Sequence, residues 1–111
     1  MAIGSAKAAG VRDGYCPLVN GVPVRLTYAR WYHIVENHDE MASRFHEVLE
    51  VVEEPDLVVR GNAGALKAAR HLGKRNWLVV VYREVSRNDG FVITAYLLDI
   101  RPKGRITWRR A

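Results

Sequence analysis

The stretch that decides the fold is Gly90-Phe91-Val92-Ile93-Thr94-Ala95-Tyr96-Leu97-Leu98. β-Branched and aromatic residues dominate it, which predicts a β-strand. Because side chains alternate along a strand, one face would carry only apolar residues and the other would carry the hydroxyls of Thr94 and Tyr96. We therefore expect helices to cover the apolar face and a polar ligand to bind on the face that Thr94 and Tyr96 share.

The residues on either side of this stretch indicate an α+β domain. Asn20-Gly21 lies between two apolar runs and predicts a short N-terminal hairpin. Apolar side chains at helical spacing predict one helix over about 28–38, capped by Thr27, and a second over about 43–53. Four strands separated by short turns then favour an antiparallel meander, which we expect over 57–60, 65–72, 77–85 and 91–100.

The order of these elements predicts one domain, 15–111, preceded by a flexible arm, 1–14. Helices that come before the strands favour a fold in which both helices pack on one face of a four-stranded antiparallel sheet. The tail has the pattern of one more short strand at 105–108. The 111 residues, 49% of them hydrophobic, suffice for one modest core.

Composition narrows the class of protein. The longest apolar run, 77–82, is much shorter than the roughly 20 residues that a membrane span needs, and residues 1–10 contain no apolar leader segment. The single cysteine, Cys16, has no partner for an internal disulfide. We therefore expect a cytoplasmic protein that is not inserted in a membrane.

Charge is distributed unevenly along the chain, whose net charge is +5. Residues 23–56, which hold the predicted helices, contain three arginines and eight acidic residues, a net charge of −5. Residues 57–111, which hold the predicted strands, contain twelve lysines and arginines against three acidic residues, a net charge of +9. A field this asymmetric attracts polyanions, nucleic acid first, and a merely solvated basic surface is the alternative.

Signatures of metal and cofactor sites are absent from the sequence. There is no Cys-x-x-Cys pair, no His-Glu-x-x-His motif and no Walker-type loop. The four histidines do not have the spacing of a closed metal site: His33, His38, His46 and His71. The sequence therefore predicts neither a metal nor a cofactor.

Two histidines of the first helix are candidates for acid–base chemistry. His38 lies at the predicted C-terminal end of the helix among acidic residues, where the helix dipole favours the imidazolium that a general acid needs. A helix-ending residue bonded to free carbonyls is the more frequent role when His38 is considered alone. His33 lies beside Trp31, and a partly buried, hydrogen-bonded histidine is an equal alternative there.

The predicted strands carry polar side chains that suit an anionic ligand. A guanidinium at Arg60 or Arg70 is costly among apolar residues unless it reaches solvent or an anion, and its planar fork fits phosphate oxygens. Lys67 would lie on the opposite strand face from Arg70. Three further residues could hold a phosphate or ribose hydroxyl or stack on a base, with ordinary strand propensity as the alternative: Thr94, Tyr96 and Tyr82.

Five short motifs in this order resemble the phage-associated branch of the barnase–EndoU–colicin–RelE (BECR) nuclease-like superfamily. They are Arg25-Leu26-Thr27, WYHIVENHDEM at 31–41, Glu54-Pro55-Asp56, LVVVY at 78–82 and FVITAY at 91–96. The resemblance runs from Val24 to Trp108. It implies two N-terminal helices on a four-stranded antiparallel sheet and metal-independent cleavage of RNA, often by toxins or phage effectors. The chain departs from the family at Asp39, where relatives have a proline after the histidine.

The resemblance also implies the residues of the site. The family's expected active residues are a helix histidine, strand cations and a threonine of the last strand. Carried to this chain, the catalytic set is His33, His38, Arg70 and Thr94, with Arg60, Lys67, Tyr82 and Tyr96 expected to contact RNA. In the implied mechanism, a histidine deprotonates a ribose 2′-hydroxyl, which attacks the adjacent phosphate while the cations stabilise the added charge.

Three functional hypotheses follow from these residues. The first is a cytoplasmic, metal-independent endoribonuclease that cleaves RNA by 2′-hydroxyl transesterification, a toxin or phage-type effector whose partner would be a neutralising antitoxin or immunity protein. The second is a non-catalytic RNA-binding or protein-interaction module on the same fold. The third is a ribosome-dependent mRNA nuclease whose site is incomplete until it docks on the ribosome.

Overall fold

A computed structural model of the chain describes residues 14–17 and 21–110, with side chains described for 21–110. The predicted arm, 1–14, therefore lies outside the described residues except for Gly14, which is the first residue of a strand. Asn20 of the predicted hairpin turn and the side chain of Cys16 lie outside them as well.

The described residues form two α-helices, α1 and α2, and seven strands, β1 to β7. The helices are α1, Tyr28–Asn37, and α2, Phe45–Glu53. The strands are β1, Gly14–Pro17; β2, Pro23–Leu26; β3, Leu57–Arg60; β4, Leu66–His71; β5, Trp77–Ser86; β6, Asp89–Leu98; and β7, Ile106–Arg109. Short 3₁₀ helices lie at Asp39–Met41 and Asn62–Gly64. Within this part of the chain, neither helix has the length and apolar character that would let it cross a membrane.

The strands form one mixed sheet in the order β1-β2-β6-β5-β4-β3-β7. Its centre, β3 to β6, is the predicted antiparallel meander. The predicted sheet of four strands is nevertheless too small. The hairpin strand β2 joins it by a parallel pairing with β6, at Val24 opposite Gly90, and β7 adds to the far edge beside β3. The α+β class is confirmed, and the sheet is larger and not wholly antiparallel.

Local sequence signals set the helices. The Thr27 hydroxyl accepts a hydrogen bond from the backbone N–H of Arg30 at 3.1 Å, which is the expected N-cap of α1. α1 buries Trp31 and Ile34 on one side. α2 buries four aliphatic residues over two turns: Val48, Leu49, Val51 and Val52. It ends just before Pro55, which cannot continue a helix. Both predicted helices are therefore confirmed, with boundaries that differ by one or two residues.

Both helices pack on one face of the sheet. The main core joins Ile34 of α1 and Val52 of α2 to sheet residues such as Leu78 and Val80, all fully buried. Burial of each such aliphatic side chain contributes about 1.5–3 kcal/mol. This face is called the helix face below.

The other face of the sheet carries a smaller apolar cluster that contains no helix residue in the described chain. Its buried members are Leu57, Val59, Ala69 and Val79. The segment 99–105 carries the chain from β6 to β7 on this face, where Gly104 lies against Val59, and Pro102 is buried. Gly104 has a φ of +136° and lies so close to β3 that an added Cβ would come within 2.5 Å of the Arg60 carbonyl oxygen. The crossover therefore covers one part of this face, called the open face below.

The ladder between β5 and β6 is irregular at Ile93. Val81 pairs with Thr94, but the next residue, Tyr82, pairs with Val92, so Ile93 is the extra residue of a β-bulge. Val92 consequently belongs to the core on the helix face. The predicted alternation of apolar and polar faces therefore holds from Thr94 onwards and is wrong before it.

Candidate functional site

The helix α1 lies along an edge of β6 beside which the described residues place no strand. β2 pairs with β6 only as far as Phe91. Beyond it, the Arg30 Nη1 group donates to the Ile93 carbonyl oxygen at 3.4 Å, and the His38 ring lies 5.7 Å from the Tyr96 ring. These contacts are separated by about 12 Å along the helix and about 10 Å along the strand. α1 therefore runs beside β6 in the same direction.

His38 stands at the C-terminal end of α1, as predicted. Its backbone N–H donates to the Ile34 carbonyl oxygen at 2.7 Å and so ends the helix. Its side chain does not bond to a helix carbonyl. Instead the ring lies beside Tyr96, and Nδ1 is 3.7 Å from a carboxylate oxygen of Glu40. At 3.7 Å this contact is longer than a hydrogen bond, and Nε2 has no hydrogen-bond partner among the described residues, so it is available for proton transfer.

Thr94, Tyr96 and Lys67 share the open face. The register aligns Thr94 with Val81 of β5 and Val81 with Lys67 of β4. Strands are about 4.8 Å apart, so the Cα atoms of Thr94 and Lys67 are about 10 Å apart, a gap that a lysine side chain and one phosphate can fill. Arg83 follows two residues after Val81 on the same face. No carboxylate among residues 21–110 forms an ion pair with Lys67 or Arg83.

Arg70 lies on the helix face, opposite to Lys67, as the strand alternation predicts. Its guanidinium donates to the carbonyl oxygens of Glu50 at 3.2 Å and Glu54 at 2.7 Å, and the Glu50 carboxylate lies 3.9 Å away. Cations are favourable at this end of a helix because the last carbonyls carry a partial negative charge. Arg70 therefore anchors the C-terminal end of α2 and does not join Thr94.

Two of the residues expected to contact RNA are placed away from Thr94. Tyr82 is buried on the helix face at 2% exposure, and burial, with the nearby charge of Glu84, raises the pKa of its hydroxyl. In this position Tyr82 offers no exposed surface for stacking on a base, so its burial does not favour the predicted contact with RNA. Arg60 is exposed at the end of β3, and strand alternation directs it to the helix side.

His33 lies apart from His38. The two are five residues apart on α1, which directs them about 140° from each other around the helix. His33 is exposed, unlike the partly buried histidine of the alternative interpretation. It lines a shallow cleft of about 320 Å³ with Thr27, Ala29 and Arg30. The structure therefore separates the two predicted catalytic histidines.

A second shallow cleft, of about 170 Å³, shares two residues with the first. Its lining residues are Arg25, Thr27, Arg30, Phe91 and Val92. Together the two clefts surround the Arg30 side chain, and they are called the Arg30 cleft below. Arg25 forms an ion pair with Asp89, with Nη2 and Nε each 3.2 Å from a carboxylate oxygen.

Three residues of this region were not among the predicted site residues: Arg30, Glu40 and Arg83. Arg30 and His33 are three residues apart and outside the apolar stripe of α1, a signal that was visible in the sequence. Glu40 follows His38 closely, but only the turn into the 3₁₀ helix brings its carboxylate toward the ring. Arg83 gave no local signal, because its relation to Lys67 depends on strand register.

The described part of the chain contains no group of three or more His, Cys, Asp or Glu residues placed to hold a metal ion.

Comparison with protein-family models, with curated proteins and with solved structures returned no match to this chain. The resemblance to the BECR superfamily accordingly rests on the motifs and on the arrangement of helices before a meander, and function has to be argued from the site.

Proposed function

We propose that the protein is a cytoplasmic, metal-independent endoribonuclease whose active site lies at the α1–β6 edge. The observation that carries this proposal is the placement of the His38 ring, 5.7 Å from Tyr96, beside the strand that presents Thr94 on the same face as Tyr96. A proton acceptor, two hydroxyl donors and nearby cations are the groups that cleavage of RNA by its own 2′-hydroxyl requires.

In the proposed reaction, His38 accepts the proton of a ribose 2′-hydroxyl, with Glu40 holding its other ring nitrogen. The 2′-oxygen bonds to the adjacent phosphorus, and the bond from phosphorus to the 5′-oxygen of the next nucleotide breaks. Water returns a proton to the departing 5′-oxygen. The products are a 2′,3′-cyclic phosphate and a 5′-hydroxyl. Thr94 and Tyr96 donate to the phosphoryl oxygens, and Lys67 and Arg83 offset the added negative charge.

The test is incubation of purified protein with a labelled single-stranded RNA and the matching DNA in EDTA. We expect the wild type to cleave RNA and leave DNA intact, because DNA lacks the 2′-hydroxyl. His38→Ala should lower the cleavage rate by about a hundredfold or more. The matched control is His46→Ala, an exposed histidine of α2 whose ring contacts Phe45, which should retain the wild-type rate. Equal cleavage of RNA and DNA contradicts the mechanism.

A second candidate is a non-catalytic RNA-binding module on the same fold. The observation in its favour is Arg70, which the resemblance placed in the catalytic set but which is bonded to the C-terminal end of α2. This candidate predicts RNA binding that weakens with salt, without cleavage. Addition of ribosomes to the same assay separates it from a ribosome-dependent nuclease, which would cleave mRNA only then.

The toxin hypothesis makes a separate prediction in cells. Expression of the wild type should inhibit growth, and His38→Ala should relieve the inhibition. A neutralising partner would need an acidic surface to cover Lys67 and Arg83 on the open face. Recovery of the protein without any tightly bound partner from its native cells counts against such a partner.

A further inference from the structure

We propose that the Arg30 cleft binds one nucleotide of single-stranded RNA, with the phosphate on Arg30 and His33 and the base on Phe91. The inference rests on the proposed function only for the identity of the polymer, because the cleft itself is separate from His38. It assigns a role to a cationic cluster that the proposed cleavage reaction does not use.

The hydrogen-bonding capacity of Arg30 is only partly used within the described residues. Its side chain is half-buried, and its one hydrogen bond among the described residues is the 3.4 Å bond to the Ile93 carbonyl oxygen. No carboxylate within residues 21–110 forms an ion pair with it, whereas the half-buried Arg44 and Arg70 each face a glutamate. A guanidinium has several N–H donors in a fixed fork, and those left over can bind phosphate oxygens.

Polar groups are regularly spaced along one side of α1. Thr27, Arg30 and His33 are spaced three residues apart, so they lie on the same side of the helix. All three line the first part of the cleft. The Thr27 hydroxyl oxygen accepts from the Arg30 backbone N–H, which leaves its own hydrogen free to donate. Three donors on one side of a helix favour an anion.

The second part of the Arg30 cleft contains an aromatic side chain. Phe91 is half-exposed and lines the second part with Arg25, whose charge is offset by Asp89. Aromatic side chains and neighbouring guanidinium planes are the surfaces on which unpaired bases stack. An anion site joined to an aromatic surface fits a ligand that combines a phosphate with a flat ring, which is a nucleotide.

The position of the cleft indicates how RNA would lie. Arg30 and His38 are about 12 Å apart along α1, so they cannot contact the same phosphate. Both contact β6: Arg30 bonds to Ile93, and His38 lies beside Tyr96. RNA that follows the α1–β6 edge would therefore place one nucleotide in the Arg30 cleft and a neighbouring phosphate at His38.

The experiment measures binding of a fluorescent 2′-O-methyl RNA tetranucleotide, which cannot be cleaved through its 2′-oxygen, to the full chain at several salt concentrations. Arg30→Gln should weaken binding about tenfold and reduce the slope of log affinity against log salt by about one. Phe91→Leu should weaken binding about tenfold without changing the slope. The matched control is Arg87→Gln, an exposed arginine of the β5–β6 turn, which should change affinity less than twofold.

Two results would overturn the inference. One is equal affinity of Arg30→Gln and Arg87→Gln for the RNA, and the other is absence of binding by the wild type. If Arg30→Gln does not fold, His33→Gln takes its place, because His33 is exposed and its side chain forms no hydrogen bond in the described residues. Binding that depends on Arg30 in a protein that cleaves no RNA contradicts the proposed function and leaves this inference standing, so the two failures are distinguishable.

Discussion

At the junction of α2 with β4, Arg70 donates to two helix carbonyl oxygens and faces the Glu50 carboxylate. At the junction of α1 with β6, Arg30 makes one long bond to Ile93 and faces two clefts. Both are half-buried arginines between a helix and the sheet. The one with its donors satisfied serves stability, and the one with donors left over is available to a ligand.

The largest expected effect on stability separates these two arginines. Arg70→Ala leaves carbonyl oxygens at the end of α2 without a partner, and we expect it to lower the free energy of unfolding by about 1–3 kcal/mol. Arg30→Ala should change that free energy by less than about 0.5 kcal/mol. Urea unfolding followed by circular dichroism measures both. A decrease in the free energy of unfolding of more than about 0.5 kcal/mol for Arg30→Ala would contradict this difference between the two arginines.

A smaller effect is expected within the proposed site. Glu40→Gln keeps the size of the side chain but removes the charge 3.7 Å from the His38 ring, so the histidine is less well oriented. We expect RNA cleavage to slow about tenfold, with RNA affinity unchanged. Single-turnover cleavage and binding of uncleavable RNA measure the two quantities. Glu36→Gln on the exposed side of α1 is the matched control and should cleave at the wild-type rate.

The smallest effect concerns Tyr82, which is buried on the helix face of the sheet. Burial raises the pKa of Tyr82 in the folded state above the value of about 10 in the unfolded chain. Its contribution to stability is therefore complete below about pH 10 and is lost as the pH rises further. Tyr82→Phe should lose stability less steeply than the wild type as the pH becomes alkaline, because the phenylalanine has no hydroxyl to ionise. Parallel pH profiles for Tyr82→Phe and the wild type would contradict the burial argument.

Most of the fold could be predicted because its signals are local. Thr27 caps α1, the helical spacing of apolar residues predicts both helices, and the turns predict the meander. The parallel pairing of β2 with β6 could not be predicted, since it joins Val24 to Gly90, far apart in sequence. The bulge at Ile93 could not be predicted either, because only the register of β6 against β5 reveals the extra residue.

The site was predicted less completely than the fold. The shared face of Thr94 and Tyr96 and the end of α1 at His38 followed from strand and helix periodicity. The role of Arg70 did not, because its partners belong to a helix that the sequence alone does not position against β4. Arg30 was not among the predicted site residues, because its lack of an acidic partner among the described residues is visible only in three dimensions.

The central claim is that His38 and the open face of β6 cleave RNA through its own 2′-hydroxyl. The most direct measurement is mass spectrometry of the ends produced from a defined single-stranded RNA in EDTA, for the wild type and His38→Ala. The account predicts 2′,3′-cyclic phosphate and 5′-hydroxyl ends with the wild type, formed about a hundredfold more slowly or not at all with His38→Ala. RNA left intact by both proteins, or the same products formed at the same rate by both, would contradict it.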